Sequence, residues 1–507
     1  MTTQPRLVRS ALALCLAVLS FGGSRAAMAQ PAAPPAPEAN PAPPELPPPA
    51  AAPVEIPPPP PPPEVVMPPP PPPPPPAPPK PAISSKYTAE IYGFAEFDAI
   101  YDSTQGLNEI AGNAVIQKKG TFGGDHGRLN YSARNSRIGF RFKGPESDAI
   151  RASGIVEGDF LGNQPTGISD AALINNPTFR IRHFVGKLET PYVDIMGGQY
   201  WQLFGWQGFA FPNSVEIMGL PGQVFGRTPQ LRLSHAFKTD DITIEVAAAS
   251  ARSPQRDGGL PDTQAGLKFL INKWKGLRTA NSTGTSVDSG GIGVSGVYRK
   301  FRINDLGGAN TTNSKNAGGI SVDALLPIIP ATMEDRANAL TLTGSYVRGT
   351  GIADLFTGLT GGIGYPALPA NAMGVVPTYT PNVDPGLVTF FGKGDAHTID
   401  WQSVLVGLQY YLPPSGSVWI SANYSHVNSP NIADFTGATG FDPNTTTAAA
   451  GAPAKVMKSS QFADGNLFVD VNKAVRFGAE FAWFKQKFVD GSTAKNLRGQ
   501  LSMFYLF

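Results

Sequence analysis

From Tyr87 onward, apolar side chains recur at every second position in short segments separated by polar, glycine- or proline-bearing connections. Ile138, Phe140 and Phe142 alternate with Arg137, Arg141 and Lys143; Ile242, Ile244 and Val246 alternate with Thr243 and Glu245. Leu340, Leu342 and Tyr346 stand against Thr341, Thr343 and Ser345, and Val418, Ile420, Ala422 and Tyr424 against Ser421, Asn423 and Ser425. A period of two puts each set on its own face of a β-strand. The pattern predicts sixteen strands, beginning near Ile91, Ser136, Ile150, Phe179, Tyr192, Gln230, Ile242, Ala265, Gly291, Ala317, Ala339, Ile399, Val418, Gln461, Val475 and Leu497. In the last, Leu497, Gly499, Leu501, Met503, Tyr505 and Phe507 share one face, and Arg498, Gln500 and Ser502 the other. An apolar outer face, a partly polar inner face and an aromatic rim suit the closing seam of a transmembrane β-barrel. Tyr505 and Phe507 are therefore expected to carry the signal read by the barrel assembly machinery. A last strand packed on a soluble sheet is the plainer alternative.

The connections sort by length. Those after strands two, four, six, twelve and fourteen are tight: Gly144-Pro145-Glu146, Thr190-Pro191, Lys238-Thr239-Asp240, Pro413-Pro414-Ser415-Gly416 and Asn472-Lys473-Ala474. Most connections after odd strands are long: Asp102–Asn135, Leu161–Thr178, Gln202–Pro229, Gly349–Thr398 and Asn428–Ser460. Short periplasmic turns alternating with long outer loops are the outer-membrane rule. An all-β fold follows, a transmembrane antiparallel barrel of about sixteen strands over residues 87–507.

Composition agrees. Charged residues make up 15% and aromatics 10%, with 56 glycines, whereas average soluble domains carry about 25% charge. The net charge of +2 implies no polyanion, so nucleic acid is not an expected partner. No later stretch offers the ~18 uninterrupted apolar residues of a membrane helix.

Arg6 and Arg9, the apolar run Ala11 to Phe21 and the small residues Ala27-Met28-Ala29 read as a signal peptide, residues 1–29. The one cysteine, Cys15, lies inside it and follows Leu14, which does not suit a lipoprotein cleavage site. The mature chain would lack thiol chemistry and Cys-ligated metals. Residues 30–86 form a proline-rich segment, with 30 of the 52 prolines between Pro31 and Pro81. Lacking backbone donors, it can form neither helix nor sheet. It reads either as a disordered linker or as a polyproline II rod of about 160 Å at ~3.1 Å per residue, which would let residues 31–82 reach peptidoglycan or periplasmic proteins.

Five blocks carry a family resemblance: Tyr92-Gly93-Phe94-Ala95-Glu96-Phe97-Asp98-Ala99, Ser136-Arg137-Ile138-Gly139-Phe140, Phe179-Arg180-Ile181-Arg182-His183, Gly197-Gly198-Gln199-Tyr200-Trp201-Gln202-Leu203-Phe204 and Gly226-Arg227-Thr228-Pro229-Gln230-Leu231-Arg232. In this order they resemble the DcaP-like outer-membrane porins, from about Ile91 to Arg232 and again over Val475–Phe507. The resemblance implies a homotrimer of sixteen-stranded barrels in the bacterial outer membrane, passing small anions, typically dicarboxylates, by passive diffusion. One departure stands out. The family's N-terminal extension is helical and coiled-coil-like, whereas here it is proline-rich.

A pore selects ions through the charge at its narrowest part. Arg137, Arg141 and Lys143 oppose lipid-facing positions, and by the same parity Arg151, Arg180, Arg182 and Arg232 should face the lumen. With strands about 4.8 Å apart they can form a basic ladder, and arginine's planar fork suits carboxylates. Glu96, Asp98, Glu157 and Asp159 could share the lumen and pair with them, leaving charges that merely hydrate the pore. By analogy with other sixteen-stranded porins, the third long loop, Gln202–Pro229, is a candidate constriction carrying Phe204, Trp206, Phe209, Phe211, Phe225, Glu216 and Arg227; a rim girdle is the equal alternative.

Catalysis has little to rest on. The histidines at 126, 183, 235, 397 and 426 are scattered, with no His-x-x-x-His pair, Gly-x-Ser-x-Gly elbow or phosphate loop. No catalytic residue, metal ligand or cofactor is expected. Asn281-Ser282-Thr283 matches a glycosylation sequon, which is uninformative in a bacterial envelope protein. The sequence therefore predicts an anion-preferring porin, against a general diffusion porin or an envelope tether that uses the barrel as an anchor.

Overall fold

A computed structural model describes residues 87–105, 107, 109, 116–144, 150–162, 178–216, 219–280, 284–304, 312–357, 359, 383–384, 386–391, 395–434 and 456–507. The expected signal peptide and proline-rich segment, the turn residues 145–149 and the sequon lie outside them.

Sixteen antiparallel strands close into one barrel. They are β1 (Thr88–Asp102), β2 (Arg128–Ser132 and Arg137–Lys143), β3 (Arg151–Asp159), β4 (Arg180–Glu189), β5 (Asp194–Trp201), β6 (Arg227–Lys238), β7 (Ile242–Ala251) and β8 (Asp262–Ala280). Then follow β9 (Gly284–Asn304), β10 (Thr312–Ile329), β11 (Leu340–Thr350), β12 (Asp400–Tyr411), β13 (Val418–Asn428), β14 (Met457–Asp470), β15 (Val475–Phe488) and β16 (Thr493–Leu506). A short hairpin, Val388–Phe391 with Asp395–Thr398, lies in the connection after β11. Each strand pairs with its neighbours in sequence, and β16 pairs with β1 from Phe94↔Leu506 to Asp102↔Arg498. Closure leaves no sheet edge, which is what lets strands cross a bilayer that offers no hydrogen bonds.

β2 is interrupted. Its two parts pair with the two halves of β1, and at the gap Ser136 Oγ accepts from the Glu96 N–H at 3.0 Å, replacing a ladder bond.

The period of two appears as burial. On β1, Phe94, Glu96, Asp98, Ile100 and Asp102 are buried while Ile91, Phe97 and Tyr101 are exposed. On β16, Asn496, Arg498, Gln500 and Ser502 are buried while Leu497, Met503 and Tyr505 are exposed. Polar residues inside and large apolar residues outside invert a soluble protein and make a lipid-facing belt.

The expected tight turns close with local bonds: Thr239 N–H to Ile242 O, Leu412 N–H to Val418 O and Val471 N–H to Val475 O. The β8–β9 connection differs. Its register slips between Ser289 and Gly290, leaving three extra residues, Asn272 to Trp274, on β8. Beyond this bulge the hairpin tip turns into the barrel from the short-turn end. Leu277 and Thr279 are fully buried, the Thr279 N–H donates to Gln409 Oε1 at 2.8 Å, and Thr341 Oγ1 donates to the Leu277 carbonyl at 2.6 Å.

The interior is unevenly filled. Along β9 and β11–β15, inward Phe301, Val347, Trp401, Val427, Phe462 and Phe484 pack with loop residues Phe204, Leu220, Ile352, Leu355 and Phe356 in one apolar core. Nearer the short turns, Leu277, Tyr411, Trp419 and Phe468 form a second cluster. These two clusters fill the interior along β9 and β11–β15.

Candidate functional site in the barrel lumen

After β5 the chain turns inward and crosses the barrel. The Leu203 and Phe204 N–H groups share Gln264 Oε1 of β8 at 2.9 and 3.0 Å, and the Gly205 N–H reaches Ser295 Oγ of β9 at 2.8 Å. Trp206 lies flat on this wall, its Nε1 donating to the Val294 carbonyl at 3.0 Å. A Cβ at Gly293 would come within 2.6 Å of its indole, so the wall needs glycine there.

The far end of the loop docks on the opposite wall. Ser421 Oγ and Asn423 Nδ2 of β13 donate to the Asn213 carbonyl at 2.6 and 2.8 Å. The Val215 N–H donates to Asn466 Oδ1 of β14, and the Glu216 N–H to Glu480 Oε2 of β15, both at 2.9 Å. Returning, the loop gives the Pro221 and Gly222 carbonyls to Ser425 and Ser403 at 2.5 and 2.7 Å. A loop hydrogen-bonded to opposite walls lies within the lumen and is no rim girdle.

The seven loop residues singled out from the sequence occupy different surroundings. Phe204 is sealed in the outer apolar core. Trp206 and Phe209 pack near Ala247 and Ala249 with the Lys268 ammonium over both rings at 4.6 and 5.4 Å. Phe211 and Phe225 meet Trp201 edge-on at 5.1 and 4.8 Å. Arg227 lies 4.8 Å over Trp201 and 5.4 Å over Phe225, and Glu216 lies 3.8 Å from Arg498.

Facing this loop is the wall of β2–β4, where two carboxylates organise three arginines. Arg180 grips Asp159 with a two-pronged fork at 2.9 and 2.7 Å. Arg182, 1% exposed, donates to Glu157 at 2.7 Å and to Asp159 at 2.9 Å. Arg137 lies 3.6 Å from Glu157, which also accepts from Tyr92 at 2.9 Å. Arg137 Nη2 and Arg227 Nη1 are buried and have no hydrogen-bond partner among the described residues. On the other side of Arg137, Asp98 accepts from Asn135, Gln500 and Ser502, while both Glu96 carboxyl oxygens are buried without a partner among the described residues.

Lower on the same wall, Arg141 stacks on Tyr92 at 3.6 Å and lies 3.5 Å from Glu90. Arg151 lies 3.4 Å from Glu189 and is 65% exposed, and Lys143 is exposed. Arg232 is folded back onto the Trp201 carbonyl at 2.6 Å and Gln230 Oε1 at 2.9 Å. Of the seven basic residues, Arg137, Arg180 and Arg182 are held by carboxylates at mid-wall, Arg141, Lys143 and Arg151 lie exposed near the short-turn mouth, and Arg232 is bound to neutral oxygens.

Three features lay beyond sequence reasoning. A β-bulge sets Glu157 opposite His183 and Gly158 opposite Ile181, so Arg182 is the extra residue. Arg182 and His183 are consequently both buried inside, where strict alternation would have put His183 outside. Trp201 is the hub of the loop aromatics. Arg299 binds Asp262 at 3.0 Å and Asp354 at 2.5 and 2.8 Å, holding the segment after β11 inside the barrel. Among the described residues no group of three or more metal-ligating side chains occurs.

No family model matches the sequence, and no curated protein sequence does. Solved structures do. The outer membrane channel DcaP of Acinetobacter baumannii is 18% identical over 83% of this chain and 97% of that one, with a TM-score of 0.56. OmpT of Vibrio cholerae in its trimer form is 12% identical, over 83% and 99%, with a TM-score of 0.43. The anion-selective porin from Comamonas acidovorans is 9% identical, over 83% and 100%, with a TM-score of 0.44. The likeness to DcaP is one of fold.

Proposed function

We propose that this chain is a DcaP-like porin of the bacterial outer membrane, a homotrimer through which small hydrophilic solutes diffuse passively, anions and small carboxylates in preference. Its short turns and proline-rich segment would face the periplasm. The observation that carries the reading is the cluster of guanidinium groups where the β2–β4 wall meets the lumen loop: Arg137, Arg182 and Arg227, with one N–H of Arg137 and one of Arg227 left without a partner among the described residues. Those two N–H groups are themselves sealed from solvent, so they act on a passing carboxylate through their positive field and not by direct contact.

The geometry suits transit better than capture. The lumen loop, bonded to opposite walls, and the apolar core narrow the barrel. Glu157 and Asp159 hold the arginines in place and dilute their charge, so an anion is attracted without being trapped. Conduction needs sites of that intermediate strength. Arg141, Lys143 and Arg151 at the short-turn mouth would extend the favourable potential along the path.

Planar-bilayer conductance of the purified protein under a potassium chloride gradient tests this. Stepwise currents with a reversal potential set mainly by chloride are expected. Cation-selective steps would overturn the arginine filter, and folded protein that gives no steps would overturn the porin, leaving the barrel as an anchor for the proline-rich segment.

A further inference from the structure

The outward face of β15 and β16 changes character at one row. From the short-turn end upward, its cross-strand pairs are Val475/Tyr505, Phe477/Met503, Ala479/Leu501, Phe481/Gly499 and Trp483/Leu497. The next pair is Lys485/Lys495, followed by Lys487/Thr493. The eight steps from Val475 to Trp483, at about 3.4 Å each and tilted about 40°, cover roughly 21 Å of height. That nearly fills the roughly 25 Å apolar band of an outer-membrane barrel. The lysines therefore begin where hydrocarbon gives way to headgroups, one row beyond a tryptophan of the kind that marks this boundary.

Two like charges directly opposite each other on neighbouring strands repel. Nothing among the described residues offsets them. No ion pair involves these lysines among the described residues, and no outward position of β14, β15, β16 or β1 holds a carboxylate. Glu480 and Asp464 point inward and are buried. Asp490, in the connection above, is taken by Lys118 at 3.3 Å and by Ser492. The row continues as neutral hydrogen-bonding groups, with Gln461 opposite Lys485 and His426 opposite Gln461. The result is a polar shelf four strands wide, with its positive charge at the β15–β16 end.

We infer that Lys485, Lys487 and Lys495 form a binding site for the phosphate groups of a phosphorylated glycolipid in the outer leaflet. The lipid's chains would lie on the apolar rows below, beside Trp483, and its sugar would meet Gln461. A phosphate between Lys485 and Lys495 turns a repulsive cross-strand pair into a bridged one. The inference rests on the outer-membrane reading, which places this end of the strands at the outer leaflet.

The test uses the full chain in detergent and three probes: bis-phosphorylated lipid A, its dephosphorylated form and inorganic phosphate. Binding is read by native mass spectrometry. Each lysine near an anionic surface contributes roughly a factor of five, so K485Q/K487Q/K495Q should bind lipid A about 100-fold more weakly. Heat-modifiable migration and channel conductance of the variant should match the parent protein, because all three side chains lie outside the lumen. Equal binding by the variant would overturn the site. So would dephosphorylated lipid binding as well as lipid A, or inorganic phosphate displacing the lipid at equimolar concentration. Loss of oligomer in the variant would make the patch a contact between copies and overturn it too. Lipid binding without conductance in the parent protein would sink the porin reading alone.

Discussion

Gly93 and Phe507 exchange backbone hydrogen bonds, Gly93 N–H to Phe507 O at 2.9 Å and Phe507 N–H to Gly93 O at 3.1 Å. This pair continues the β1–β16 ladder just past Phe94↔Leu506 and completes the barrel seam. At the same point β1 passes close to β2: a Cβ on Gly93 would lie 2.2 Å from the Arg137 carbonyl oxygen and 3.0 Å from the Phe507 ring.

Gly93→Ala should therefore reduce the amount of folded barrel, measured as heat-modifiable protein in isolated membranes. Deleting Phe507 should have the same effect through the lost ladder bonds. Normal barrel levels in both variants would remove the seam from barrel assembly.

Replacing Arg137 and Arg227 together by Ala should move the reversal potential in a chloride gradient toward the cation limit. Both residues stand where the β2–β4 wall meets the lumen loop, and both carry N–H groups without partners among the described residues. An unchanged reversal potential would take them out of the filter.

Arg182→Ala should behave differently. It removes the one arginine that bridges Glu157 and Asp159, and breaking a buried ion pair costs up to about 3–5 kcal/mol. Reduced thermal stability should accompany any change in selectivity. Arg182→Lys should not restore it, since one ammonium cannot reproduce the fork that spans both carboxylates. Stability equal to the parent protein in Arg182→Ala would show that the network is dispensable.

Shortening Phe209–Gln223 removes the docking of Asn213, Val215 and Glu216 on β13–β15. Single-channel conductance should rise. An unaltered conductance would place the limiting passage elsewhere.

Leu277→Ala probes the inward hairpin tip. Leu277 is fully buried beside Tyr411 and Trp419, and truncating such a side chain costs about 2–5 kcal/mol. The expected result is a lower melting temperature with selectivity unchanged, because this tip fills the arc away from the arginine wall. A selectivity change would assign it to the conducting path.

Strand number, order, closure and the tight turns could be read from the chain because they depend on local pattern. Alternation within a strand decides which side chains meet lipid, and a turn is set by a few adjacent residues. The signal fades only where both faces are apolar, as on β12, where Val404 and Val406 meet lipid while Trp401 and Leu405 enter the inner core.

The lumen followed other rules. Strict parity assigned Arg137, Arg180 and Arg182 to the inside, but only the pairing of β3 with β4 created the bulge that turns His183 inward beside Arg182. Whether the third long loop lay at the rim or inside depended on partners far along the chain, such as Glu480 beneath Glu216 and Asn466 beneath Val215. The inward tip of the β8–β9 hairpin likewise depends on Gln409 and Thr341 from other strands. A period of two determines which face a side chain occupies. What that face meets is decided only when the barrel closes and brings distant polar and apolar groups together, each needing a partner that water no longer supplies.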